Sequence, residues 1–320
     1  MKILVITSEW PSSSHPEQVP FLINEINELR KFGMNIDVFS FSGKKKPLIY
    51  LKEWFRLHFT FDLEKYDLLH AEWGQSGLLV LPKQKPLVVT FRGSDLEGII
   101  NEKGKYTFSG IILRLVSQFI AIIADHVVIV SESLLRYLPP VSYTVLPVCL
   151  DTNIFKPMPK EDARKQLNLP LDKHLILFAS NPNRPEKRYA LAKAAVEMLG
   201  DNTQLIVTRN VQHKQMMLYY NACDALVITS SHEGSPTVMY EALACNLPIV
   251  STDVGDVKYR IEEIDGCYVC KGETIEEIAS YLLKSINSGK RIAGYNFVSK
   301  FDTEHFCMKM NKVYESCLKK

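Results

Sequence analysis

At 320 residues and 46% hydrophobic content, the chain is long enough for two domains, each with its own buried core. Its 38 basic residues stand against 36 acidic ones, a formal charge of +2, so the global balance gives no reason to expect a nucleic-acid partner and any anionic ligand must be bound locally. The seven cysteines are odd in number and mostly far apart, which fits a reducing compartment and not a disulfide framework.

The first eight residues carry too short an apolar run for a signal peptide and read as a buried strand. Apolar runs of strand length then recur, separated by amphipathic stretches of helical length, and this alternation predicts an α/β fold with parallel sheets. The first-half strands are expected over 3–7, 35–39, 68–71, 87–91, 127–130 and 143–146; the second-half strands over 175–179, 204–208, 225–229, 248–251 and 267–269. Helices over 21–32 and 189–199 end at Gly33 and Gly200, as C-terminal caps should. Each half thus reads as its own Rossmann-like sheet, and ligands of such sheets bind where the carboxyl ends of strands open.

Two other features bear on compartment and boundary. Residues 111–130 are the most membrane-like stretch, but Arg114, Gln118, Asp125 and His126 break it, so a soluble protein is expected. Residues 147–159 carry Pro147, Pro157 and Pro159 without a clear period, which places an interdomain linker near residue 150. Cys267 and Cys270 lack a second pair to complete a zinc site and read as core thiols.

The chemistry gathers after the strand at 225–229, in the run from Ser230 to Cys245. Ser235 is a good N-cap, Pro236 suits a first helical position, and Gly234 lets backbone approach a ligand, so the helix is expected to start at Ser235 with its N–H groups forming an anion site. Thr237 and Glu241 share a helical face, which would put Glu241 on the side of Glu233. Two carboxylates there suit hydroxyls better than phosphates. Taken singly, Glu241 reads as a solvated helix residue and Glu233 as a loop charge.

The arrangement resembles the Glu-x7-Glu signature of retaining GT-B glycosyltransferases of family 4, the glycosyl transferases group 1, continued by Ala242 through Val250. The resemblance extends to residues 87–95, 128–133, 147–157, 251–256 and a final helix at 303–320, nearly the whole chain. It implies an acceptor-side Rossmann-like domain over 1–150, a nucleotide-sugar donor domain over 151–300 facing it across a cleft, and a helix over 301–320 that returns to the first domain. It also implies that Glu233 lies beside the donor sugar, that Glu241 holds the ribose, and that Gly234, Ser235, Pro236 and Thr237 approach the diphosphate, although Pro236 has no N–H to give.

No Asp-x-Asp metal motif is present, so no metal or cofactor is expected and the protein must supply cations for the leaving diphosphate. Lys187, in a Pro-Glu-Lys piece, resembles the family's diphosphate-binding lysine. The usual Gly-Arg is replaced by Ala179-Ser180, which leaves Arg184 as the substitute arginine and Arg188 as an alternative that could instead open the helix. Arg92 stands where the family often has His, and with Gly93 it is assigned to the donor through a bidentate contact to phosphate or an anionic sugar. The loop from Trp10 to Pro20 lacks the glycines of many relatives. His70, Glu72 and Trp73 are candidate acceptor contacts, with a packed histidine as the competing reading. Residues 44–57 mix basic and aromatic side chains at helical spacing, fitting either an anionic membrane surface or a solvated helix covering the first domain.

The function so implied is transfer from a UDP- or GDP-sugar to a glycan or lipid-linked acceptor, with retention, in cell-surface polysaccharide or glycoconjugate synthesis, in the cytoplasm or peripherally at the inner face of the cell membrane. A GT-B sugar-nucleotide epimerase and a catalytically silent GT-B partner subunit are the alternatives.

Overall fold

The computed structural model describes every residue except 13–17, 44–46, 102–104, 210, 299–301 and 320. The chain forms two compact units, one of Met1–Cys149 with Thr303–Lys320 and one of Leu150–Asp302.

The first unit is built from β1 (Lys2–Thr7), α1 (Pro20–Lys31), β2 (Asn35–Ser40), α2 (Pro47–Thr60), β3 (Leu68–Glu72), β4 (Leu87–Phe91), α3 (Ser94–Glu97), α4 (Phe108–Ile123), β5 (His126–Ile129) and β6 (Tyr143–Val145). Its six strands lie in the order β2-β1-β3-β4-β5-β6, all parallel. The two-residue period of a strand sorts the side chains. Leu4, Ile6, Leu69, Val89 and Val127 enter one core with Leu57 of α2 and Ile120 of α4. Ile3, Val5, Leu68, Val88 and Val128 enter the opposite core, covered by α1.

The second unit follows as α5 (Lys160–Gln166), β7 (His174–Phe178), α6 (Tyr189–Glu197), β8 (Thr203–Val207), α7 (Met216–Ala222), β9 (Ala225–Ile228), α8 (Thr237–Ala244), β10 (Ile249–Thr252), α9 (Val257–Ile261), β11 (Tyr268–Cys270), α10 (Ile275–Ser288) and α11 (Gly294–Val298). The last helix, α12 (Thr303–Leu318), belongs to the first unit, where Phe306, Met310, Val313 and Tyr314 complete the core under α1. The second sheet runs β11-β10-β9-β7-β8, also parallel. From β7 the chain steps outward to β8, then crosses back so that β9 pairs with the other side of β7. The direction of winding therefore reverses between β7 and β9, and the loops that leave these strands part there. All eleven predicted strands form, with ends shifted by a residue at most sites, because strands buried on both faces write continuous apolar runs into the sequence. Cys267 and Cys270 are buried free thiols.

Candidate active site

The loop after β7 and the loop after β9 meet at that reversal. Lys187 ends a short 3-10 turn, Pro185–Lys187, and its ammonium pairs with Glu233 Oε1. Ser230 Oγ donates to the same oxygen at 2.8 Å. Backbone contacts hold the two loops in register: Ser231 N–H donates to Glu186 O at 2.9 Å, and Thr229 Oγ1 to Lys187 O at 2.8 Å. Arg188, in a left-handed conformation with φ 49°, donates to the carbonyls of Thr229 and Ser230 at 2.5 and 3.1 Å and to Glu273 at 2.5 Å. It is a clasp between loops, and its backbone conformation does open α6. Arg184 is exposed, and Glu186 takes its guanidinium at 2.6 Å, so the two cations singled out in the sequence part company: Lys187 enters the Glu233 cluster and Arg184 does not.

The turn into α8 differs from the expected cap. α8 begins at Thr237 with Pro236 in the cap position and no side-chain cap bond. Ser235 sends its hydroxyl to Asp256 at 3.1 Å instead, because buried Asp256 also accepts from Tyr240 at 2.8 Å and Arg260 at 3.0 Å and draws the loop toward the strand β10 end. Gly234 is buried, and its carbonyl packs on Gly255: a Cβ added there would stand 2.6 Å from Gly234 O and 2.9 Å from Glu233 O. Glycine is thus required at 255, which has φ +58°.

Glu241 is not the solvated residue of the single-residue reading. It is buried, with Tyr220 Oη donating to Oε2 at 2.6 Å and His213 Nε2 lying 2.6 Å from Oε1. The burial and the neighbouring Glu241 carboxylate push the Tyr220 phenol well above its ordinary pKa, so it stays a donor. A carboxylate has about four lone-pair sites, so two donors do not saturate Glu241.

The first-unit candidates need correction. Arg92 does not present its fork to an outside anion. Its Nε and Nη2 donate to Glu72 at 2.9 and 3.1 Å, and its Nη1 and Nη2 to Glu25 at 3.2 and 2.5 Å. Four of about five N–H bonds are spent inside the unit. Burial works against the guanidinium charge, but Glu25 and Glu72 outweigh it and hold Arg92 protonated. Burial likewise raises Glu25 against the pull of Arg92. Glu72 and His70 are enclosed in the same network, His70 reaching Tyr314 Oη at 2.8 Å and Thr90 Oγ1 at 2.7 Å. These two are interior groups, and the packed reading of His70 holds because β3 runs through the middle of the sheet. Trp73 is half-buried at φ 64° and leads into the turn Gly74–Val80. Gly93, at φ 141°, opens α3 and donates its N–H to buried Asp95 at 3.0 Å.

Sequence reasoning singled out neither Asp256, Ser230, Tyr220 nor His213. Asp256 and Ser230 sit in segments already marked, but the partners of all four lie elsewhere in the chain, and spacing carries no sign of them.

Residues 185–294 match the family described as Glycosyl transferases group 1. The chain is 26% identical to a putative teichuronic acid biosynthesis glycosyltransferase, TuaC, of Bacillus subtilis, over 80% of this chain and 82% of that protein. It is 22% identical to a D-inositol 3-phosphate glycosyltransferase of Thermobispora bispora, over 80% and 72%. Among solved structures, the sucrose-phosphate synthase of Thermosynechococcus elongatus superposes with a TM-score of 0.80 at 17% identity, over 99% of both chains. Anabaena HepE, solved in complex with UDP and glucose, superposes with a TM-score of 0.73 at 16% identity, over 99% of this chain and 100% of that one.

Proposed function

We propose, for a chain that belongs through residues 185–294 to the glycosyl transferases group 1 and by its two parallel sheets to the GT-B fold, the transfer of a sugar from a nucleoside-diphosphate donor to a glycan or lipid-linked acceptor in polysaccharide synthesis. The observation that carries this reading is the Lys187–Glu233 pair at the winding reversal between β7 and β9, where open α/β sheets take phosphorylated ligands. Lys187 supplies the cation that meets charge building on the departing diphosphate, and it needs no metal to do so. Glu233, held by Ser230, accepts from a hydroxyl of the donor sugar. Glu241, braced by Tyr220 and His213, accepts from the ribose. The amides from Gly234 to Thr237 approach the diphosphate, Pro236 excepted, with the loop fixed through Ser235 and Asp256. Arg184, on the exposed rim, adds a second positive charge. Arg92, spent on Glu25 and Glu72 inside the first unit, and Gly93, spent on Asp95, are given no direct role toward the donor.

Retention follows from a front-face path in which the leaving phosphate oxygen takes the acceptor's proton as the new glycosidic bond forms, so Glu233 need not act as a base. UDP-glucose, bound by the structural neighbour HepE, is the first donor to test. Lys187→Ala is expected to lower kcat about a hundredfold, roughly 3 kcal/mol. Undiminished turnover by this variant would sink the assignment. The anomeric configuration of the product, read by NMR, decides retention.

A further inference from the structure

α4 is built the wrong way round for a helix that only closes a core. Its inward residues are Gly110, Ser117, Ala121 and Ile120. Its outward stripe is Phe108, Ile111, Ile112, Leu115, Phe119 and Ile122, each 45–80% exposed. The small inward residues have a steric reason. A Cβ on Gly74 would lie 2.2 Å from Ser117 Oγ, and one on Gly77 2.4 Å from Ile120 Cγ2, so α4 rests closely on the turn Gly74–Val80. Packing gives no reason for the apolar exterior, where a solvated helix carries charge.

α2 repeats the pattern in the same layer. Leu48, Leu51, Phe55 and Phe59 are 50–78% exposed, while Leu57 is buried and Trp54 Nε1 donates to Leu81 O at 2.5 Å. Both helices pack on the turn Gly74–Val80 and share one core on one sheet face, so their outward stripes front the same side of the unit. Ten large apolar side chains on neighbouring helices exceed what a monomer scatters over its surface.

The charge on this side selects the occupant. Lys52 and Arg56 of α2 are exposed, as is Lys105 ahead of α4, and Arg114 stands within α4 over the Tyr137 ring at 5.0 Å. Against these, Glu53 is paired with Arg56, and α4 holds no acidic residue. A second copy of the chain on a two-fold axis would set cation against cation. A layer of anionic headgroups over acyl chains accepts both the charges and the stripes.

We propose that α2 and α4 form a docking face for an anionic lipid bilayer, both helices lying in the interface plane with their apolar stripes among the acyl chains. Among the described residues no helix is long and apolar enough to cross a membrane, so the contact is lateral. The proposal rests on none of the donor-site assignments.

Flotation of the full chain with vesicles of phosphatidylcholine and phosphatidylglycerol in equal parts tests it. The protein floats with these vesicles, less so in high salt, and stays behind with phosphatidylcholine alone. Leu115→Ser combined with Phe119→Ser reduces the bound fraction about tenfold while the melting temperature and any UDP-induced thermal shift stay as they were. Ile111→Ser with Ile122→Ser serves as a second pair if the first fails to fold, and Lys52→Glu weakens binding through charge. Failure of the full chain to float, or unchanged flotation of the folded serine variants, overturns the proposal. So does a concentration-dependent dimer in sedimentation velocity that these substitutions abolish while vesicle binding is absent.

Discussion

Burial drives the His70 imidazole down to a pKa of about 3, with the Arg92 charge pushing the same way. The folded state therefore refuses a proton that the unfolded chain accepts below about 6.5, so this stability is complete above that pH and lost as pH falls toward 3. By pH 5 the loss is about 2 kcal/mol. Buried Asp95 works in the opposite sense. Its carboxyl is pushed up to about 6, so folding gains stability as pH falls from there toward the ordinary carboxylate range. The two offset one another in the wild type, and the substitution His70→Gln separates them: its stability difference between pH 7 and pH 5, from urea titrations, should be more favourable than the wild type's by about 2 kcal/mol. An unchanged difference would mean that His70 titrates normally. None of this network was legible locally. Arg92 stands 67 residues from Glu25 and 20 from Glu72, and a sequence read in windows sees an unpaired arginine at a strand end and assigns it to a ligand.

At the scale of elements, the strands were legible and the turn chemistry was not. Residues 87–91 are apolar on both faces whatever lies beyond them, so their sequence announces β4. Ser235 before Pro236 announces a cap equally well, but Asp256, 21 residues on, captures the hydroxyl. The Lys187–Glu233 pairing was half legible: both residues were marked, but only the strand order β9-β7 brings their loops together. Gly255 is the tightest of these contacts and supports a prediction. Gly255→Ala forces a Cβ against the 233–234 carbonyls at a left-handed position, while Gly200→Ala, at φ +84° with nothing within 4 Å, meets only the backbone term. Both variants should lose about 1–2 kcal/mol from conformation. Only Gly255→Ala should also diminish the thermal shift caused by UDP, since it moves the loop that carries Glu233.

The first unit is assembled from two distant pieces of chain. α12 supplies Phe306, Cys307, Met310, Val313, Tyr314 and Cys317 to one face of its sheet. Removal of 303–320 should strip that face and abolish the first unit's transition in calorimetry, while the second unit, whose cores draw on residues 150–298, keeps its own. Two intact transitions would show that α12 is an accessory. The same path through the fold sets an order on the ribosome. The chain leaves the first unit at Cys149 and re-enters it at Thr303, so the later unit has all its strands while the earlier one still awaits its closing helix. At ordinary elongation rates the gap lasts on the order of ten seconds, during which Ile3, Val5 and Val88 face water or a chaperone. Ribosome-held chains stalled soon after residue 302 has left the exit tunnel should therefore yield to protease in their N-terminal half and resist it in the segment made afterwards.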